Sequence, residues 1–162
     1  MNKFKILAFT LLVILSCKSV KLKKSFHNNS GNYVSEHYQN RESGYDWVSV
    51  NVSQNTPENM KISIRSRADK KRPTCTFDAI AERINDSTFQ TIVKQKTILF
   101  KFKENNISIS TKEFDNRFLL MYFCSGGASL MGDYKKISSE LDTTQIDKKP
   151  FSNMIKDGKI NR

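Results

Sequence analysis

Val48-Ser-Val-Asn-Val-Ser53 and Lys61-Ile-Ser-Ile-Arg65 alternate apolar and polar residues with a period of two. That period sends successive side chains to opposite faces, so each run is expected to be a strand with one buried side. The linking stretch Asn55-Thr-Pro-Glu-Asn59 is rich in turn formers, which makes the two runs antiparallel neighbours. Similar runs at 74–81, 87–93, 98–103 and 107–111 follow at short intervals, with Asn85-Asp86 and Glu104-Asn105-Asn106 as turns. The last two are spaced as a hairpin. The near-continuous apolar run 118–124 and the segment 133–137 complete a set of about eight strands. With no long amphipathic helix among them, the fold is all-β, a small antiparallel barrel or a sandwich. Closure into a barrel is preferred because it leaves no exposed edge.

Outward from this core, 45–137, the sequence changes character. Residues 138–162 lose the alternation, contain Lys148-Lys149-Pro150, and are expected to be a surface tail. On the other side, residues 17–44 are polar and rich in Asn and Ser, as in a flexible tether. Lys18, Lys21, Lys23 and Lys24 there are either solvated or in touch with anionic lipid.

The tether is preceded by an export signal. Lys3 and Lys5 form a basic start to residues 1–16, followed by the apolar run 6–15. As a helix that run spans about 15 Å, half the hydrocarbon thickness of a bilayer, so a signal peptide fits better than a permanent span. Ile14-Leu15-Ser16-Cys17 resembles the bacterial lipobox. The resemblance implies cleavage before Cys17 and lipidation of that cysteine, which anchors the chain to a membrane without crossing it. Lys18 after the cysteine, by the same resemblance, favours the outer membrane over the inner, with the domain facing the periplasm. Export removes functions that depend on ATP, NAD or intracellular nucleic acid.

Cys75 and Cys124 are then an even pair in an oxidising compartment, and a disulfide between them is the default. The chain-entropy estimate for a loop of this length is about 4 kcal/mol. Both histidines, His27 and His37, fall in the expected tether, away from any nucleophile, and no cluster has metal-ligand spacing. The glycines at 126, 127 and 132 do not open a helix as a phosphate loop would. No enzyme and no cofactor are therefore expected.

The basic residues say more. The chain carries 27 Lys and Arg against 16 Asp and Glu, a net charge of +11. Lys61, Arg65 and Arg67 share the strand face opposite Ile62 and Ile64 and are expected to point outward, as are Lys101 and Lys103. A basic exterior steers acidic partners, and it also serves solubility and edge protection. Nucleic-acid binding would require stacking aromatics on the same face, and Trp47 is the one clear outward aromatic.

The least ordinary stretch is Ser125-Gly-Gly-Ala-Ser-Leu-Met-Gly-Asp-Tyr134. It suits either a strained hairpin or a loop in which Ser125, Gly126, Gly127 and Tyr134 contact a partner. Together the lipobox, the eight-stranded core, the disulfide and the Ser-Gly loop ahead of a Tyr resemble the membrane-bound lysozyme inhibitors of Gram-negative bacteria. In that family a Ser-Gly loop helps to block the lysozyme cleft. The resemblance implies an inhibitor of a lysozyme-type hydrolase, and a tethered β-domain of this kind equally suits an immunity-type protein that neutralises a toxin; either is a protein-binding module. Lysozymes of the animal type are basic, however, whereas this charge calls for an acidic partner. The competing expectation is an envelope lipoprotein or carrier, holding a small apolar molecule among Phe77, Phe89, Phe100 and Phe102.

Overall fold

The computed structural model describes residues 27–66 and 74–144, together with the backbone of a two-stranded pair, Ile155–Lys156 with Lys159–Ile160. The expected signal peptide, Cys17, Arg67 and most of the expected C-terminal tail lie outside the described residues. Eight strands form one closed antiparallel barrel in sequence order. They are β1 (Gly31–Val34), β2 (Val48–Ser53), β3 (Asn59–Ser66), β4 (Thr76–Arg83), β5 (Thr88–Val93), β6 (Lys96–Lys103), β7 (Asn106–Thr111) and β8 (Gly132–Ser138). β8 returns to pair with β1, and that pairing closes the barrel.

The alternation that identified the strands fills the interior. Val50, Val52, Ile62, Ile64, Phe77, Phe89, Ile98, Phe100, Ile107 and Ile109 are all buried in a single core. Phe77 meets Phe123 edge-on at 4.8 Å between centroids, Phe89 meets Phe102 at 5.8 Å and Tyr33 meets Phe102 at 6.1 Å. An eight-stranded barrel has a lumen about wide enough for its own side chains, and here the aromatic rings occupy it.

Two sequence expectations require correction. Residues 118–124 are not a strand: Phe114–Met121 is a 3-10 helix, which buries Leu119 and Leu120 and leaves Phe114 and Phe118 exposed. A short apolar run carries no period that separates a fully buried strand from a buried turn of helix. The expected strand count survives because β1 takes its place, inside the expected tether. Gly31-Asn-Tyr-Val is too short and polar to announce itself, yet it pairs on both sides. A second 3-10 segment, Glu36–Ser43, links β1 to β2. The folded domain therefore begins near residue 31 rather than at 45. Trp47 has the outward parity expected of it, but Tyr38 covers it at 4.7 Å between ring centroids.

Connections alternate between two ends. The β2–β3, β4–β5 and β6–β7 turns lie at the end where the chain enters β1; the β5–β6 turn and the β7–β8 connection lie at the other. Between β4 and β5 the ladder is limited to Glu82 with Gln90 and Arg83 with Phe89. Toward the far end, β4 instead takes the chain leaving the second 3-10 helix: Thr76 N–H donates to Phe123 O and Ser125 N–H to Thr74 O. Cys75 and Cys124, 49 residues apart, form a disulfide at that bridge.

Gly31 lies where β1 and β8 close, at φ +148°, and a Cβ there would run into the Ser138 carbonyl oxygen and the Lys136 side chain. Gly31→Ala should cost about 2 kcal/mol of stability in urea unfolding, by separating the closing strands. Unchanged stability would mean that closure tolerates the extra carbon.

Candidate functional site

The far end of the barrel is shaped by the β7–β8 connection. Leaving β7, the second 3-10 helix crosses the opening. Leu120 and Leu130 are buried beneath it, joined by the hydrogen bond from Leu130 N–H to Leu120 O, and Phe123 packs on Phe77. With its inner side committed to closing the lumen, the helix turns its other side to solvent. Phe114 is 72% exposed, Phe118 62% and Met121 38%, and it is their grouping on one short helix, rather than the exposure of any one of them, that sets this side apart. The Arg117 guanidinium lies 4.2 Å from the Phe114 ring centroid and 4.6 Å from that of Phe118. Beside it, Lys94 Nζ sits 4.0 Å from the Tyr122 ring centroid. Stacking holds these cations in place while leaving their charge able to act on a partner.

A cleft of about 260 Å³ opens between helix and turn, lined by Lys94, Lys96, Phe118, Leu119 and Tyr122. The β5–β6 turn that supplies the lysines holds Lys94 at φ 49° and Gln95 at φ 62°. Both lie in the left-handed region that a two-residue hairpin turn demands, where Asn-Gly would be relaxed. Left-handed residues other than Gly, Asn or Asp cost stability and concentrate at functional sites.

The residues singled out from sequence are divided by the structure. Ser125, Gly126 and Gly127 are exposed at this same end, the glycines at φ +70° and +80°. Tyr134 is not a contact residue. It points into the barrel, 3% exposed, and its hydroxyl donates to Leu130 O. Burial, with the Asp133 charge adding to it, pushes its phenol up to about 12, so it stays a donor. Lys61 is exposed on β3, as are Lys101 and Lys103 on β6, all away from the helix.

Arg65 does have the outward parity expected of it, yet it is 3% exposed. Its guanidinium donates to Asp78 Oδ2 at 2.8 Å and to the carbonyls of Ile64 and Phe77. An arginine long enough to lie along the sheet finds these acceptors and becomes structural, so the expected basic face of Lys61, Arg65 and Arg67 is not assembled by the described residues. The sequence does not set Phe114, Arg117 and Phe118 apart, because the apolar run 118–124 that begins at Phe118 reads as a strand. The signal was present as Phe-x-x-Arg, a spacing of three that brings two side chains together on a helical turn.

A larger, open groove of about 760 Å³ runs between the first 3-10 helix and β8, lined by Glu36, His37, Asp46, Met131, Asp133 and Lys135 among others. Its charges are mixed, and Asp133 accepts the Ser108 hydroxyl. It has volume without the convergent chemistry of the helix end. His37 is exposed and stacked on Tyr45. Among the described residues, no three His, Cys, Asp or Glu side chains come together as a metal site. No protein-family description matches the chain, and no curated protein or solved structure matches it.

With Arg65 in a structural role, Arg65→Ala should lower stability by about 2 kcal/mol, less than for a fully buried pair because the Asp78 side chain keeps 37% exposure. Urea unfolding of the variant measures this, and an unperturbed midpoint would return Arg65 to the surface.

Proposed function

We propose that the chain is a membrane-tethered, periplasm-facing lipoprotein acting as a protein-binding module of inhibitor or immunity type. Its contact face is the far end of the barrel and its partner is acidic. The observation that carries this reading is the stack of a half-buried Arg117 on the exposed rings of Phe114 and Phe118, beside Lys94 and Lys96. Aromatic residues and arginine supply most of the energy at protein interfaces, and a basic rim raises the rate of encounter with an acidic surface. Seating by the disulfide prepares the helix before contact, which reduces the ordering cost of binding.

The tether supports the same orientation. A chain anchored at Cys17 enters the barrel at Gly31, at the end opposite the helix, so anchoring leaves the contact face directed away from the lipid. The exposed loop of Ser125, Gly126 and Gly127 lies at the contact end and fits the inhibitor-type reading. Interior packing of Phe77, Phe89, Phe100 and Phe102 weighs against the carrier alternative, since the rings that would line a ligand site pack against one another.

Replacing Phe118 with Ala should weaken partner binding about tenfold or more, and Arg117→Glu should slow association several-fold at low salt while leaving stability nearly unchanged. The comparison is capture from envelope and secreted fractions followed by titration of the captured protein at two salt concentrations. Equal affinity of both variants and the unaltered chain would sink this assignment.

A further inference from the structure

The β2–β3, β3–β4, β5–β6 and β6–β7 ladders hold six or seven residue pairs each, whereas β4 and β5 share two. Beyond Glu82 with Gln90, the next pair to exchange backbone bonds would be Ile80 with Ile92, and it is not made. The neighbours fix which way the backbone faces there. Thr76 N–H donates to Phe123 O, on the side away from β3, and Arg83 N–H donates to Glu58 O, on the β3 side. Backbone groups alternate sides along a strand, so Asp78 and Ile80 direct their N–H and C=O groups toward β5. On β5, Ser87 O accepts from Phe102 N–H and Thr88 O from Ile84 N–H, so Ile92 directs its groups toward β4. A seam therefore opens between the two strands, bounded at one end by the Glu82–Gln90 pair and at the other by Tyr122 with Lys94 over its ring.

The side chains along the seam are open to solvent. Ala79 and Thr91 point inward by parity yet are only half-buried, while Phe77, Ala81, Phe89 and Val93 on the same inner faces are buried. On the outer lips, Ile80 is 60% exposed and Ile92 62%. Soluble proteins guard exposed strand edges with lysine, proline or a cover, because a bare edge templates pairing with another chain. This chain has 27 Lys and Arg, yet 76–82 and 88–93 contain none of them and no proline. An unguarded edge with an isoleucine on each lip suits pairing rather than its avoidance.

We infer that the seam receives an extended segment of the acidic partner, added as a strand along β4. The inference rests on the protein-binding reading above and gives the form in which the partner is recognised. The N–H and C=O groups of Asp78 and Ile80 pair with that strand, and an apolar side chain of the partner seats between Ile80 and Ile92. Its inward side chains are small, since Phe77, Phe89 and Phe123 fill the lumen beneath. Running antiparallel to β4, the added strand brings its C-terminal part to the far end, where Lys94 and Lys96 meet acidic residues. The seam thus continues the contact face of the helix end along the barrel wall.

The test titrates the isotope-labelled chain from residue 17 to 162, with Cys17→Ser, with an acetylated peptide of three Ser-Val repeats ending in two aspartates. Amide signals of 78–80 and 91–94 should shift saturably while those of β2 and β7 stay in place. Methylating the valine backbone nitrogens, or ending the peptide in two lysines, should weaken binding at least tenfold. Ile80→Pro removes a seam-facing N–H and no β3 ladder bond, so it should keep its urea midpoint and lose the peptide; Ile92→Lys, at an exposed position, should weaken binding several-fold. Absent shifts, equal binding of the methylated peptide, or full binding by both variants overturns the seam, as does a collapse in the stability of Ile80→Pro, which would show that N–H already paired. Shifts confined to 114–122 keep the helix end as the contact and remove the seam. Seam amides that shift on concentrating the protein alone assign the edge to a second copy of the chain, against this proposal. A peptide held in the seam, alongside unaltered partner capture by the Phe118 and Arg117 variants, would instead unseat the helix-end assignment and keep the seam.

Discussion

The bridge from Cys75 to Cys124 seats the segment after β7 on the barrel end, flanked by the backbone hydrogen bonds of Thr76 and Ser125. β4 and β5 share only two residue pairs, so without this segment the upper edge of β4 would be left open. Phe123 and Leu120 enter the core from the same segment, and their burial leaves Phe114, Arg117 and Phe118 no place but the outside. Closure of the lumen and creation of an exposed aromatic-basic face are thus one event. The bridge constrains the unfolded chain as well, and by the loop-entropy estimate is worth about 4 kcal/mol, a large share of a small domain's stability.

Two kinds of basic residue emerge from a chain with net charge +11. Arg65 is absorbed by the sheet, where its guanidinium satisfies two backbone carbonyls and Asp78. Arg117 and Lys94 are instead propped on aromatic rings and keep their charge at the surface. Composition alone counts these together, while geometry separates a cation built into the sheet from cations held on aromatic rings outside it.

Most of the fold was legible in the sequence because period-two alternation is a direct imprint of a sheet with one buried face. Val48 to Val52, Ile62 with Ile64, and the 98–111 hairpin all stand where the alternation put them. What could not be read was set by tertiary context. β1 is four residues long and owes its strand state to partners on both sides. The run 118–124 is apolar on every side because it is a stopper, buried beneath and exposed above. Tyr134 alternates correctly, and for that reason belongs inside the barrel rather than in a contact loop. Ser125 to Gly127 stand out in the sequence through their glycines and lie exposed at the helix end, whereas the Phe114-Arg117-Phe118 stack is hidden where the apolar run reads as a strand.

The proposed binding role requires the helix end of the barrel, and not its side or entry end, to be the part that touches another protein. A photo-crosslinking p-benzoylphenylalanine placed in living cells at Phe118, and in separate strains at Lys61, Lys101 or Glu58, reads this directly. The account predicts a discrete adduct with an acidic protein from position 118 and none from the other three. Adducts only from the barrel side at Lys61 or Lys101, or only from the entry end at Glu58, would contradict it.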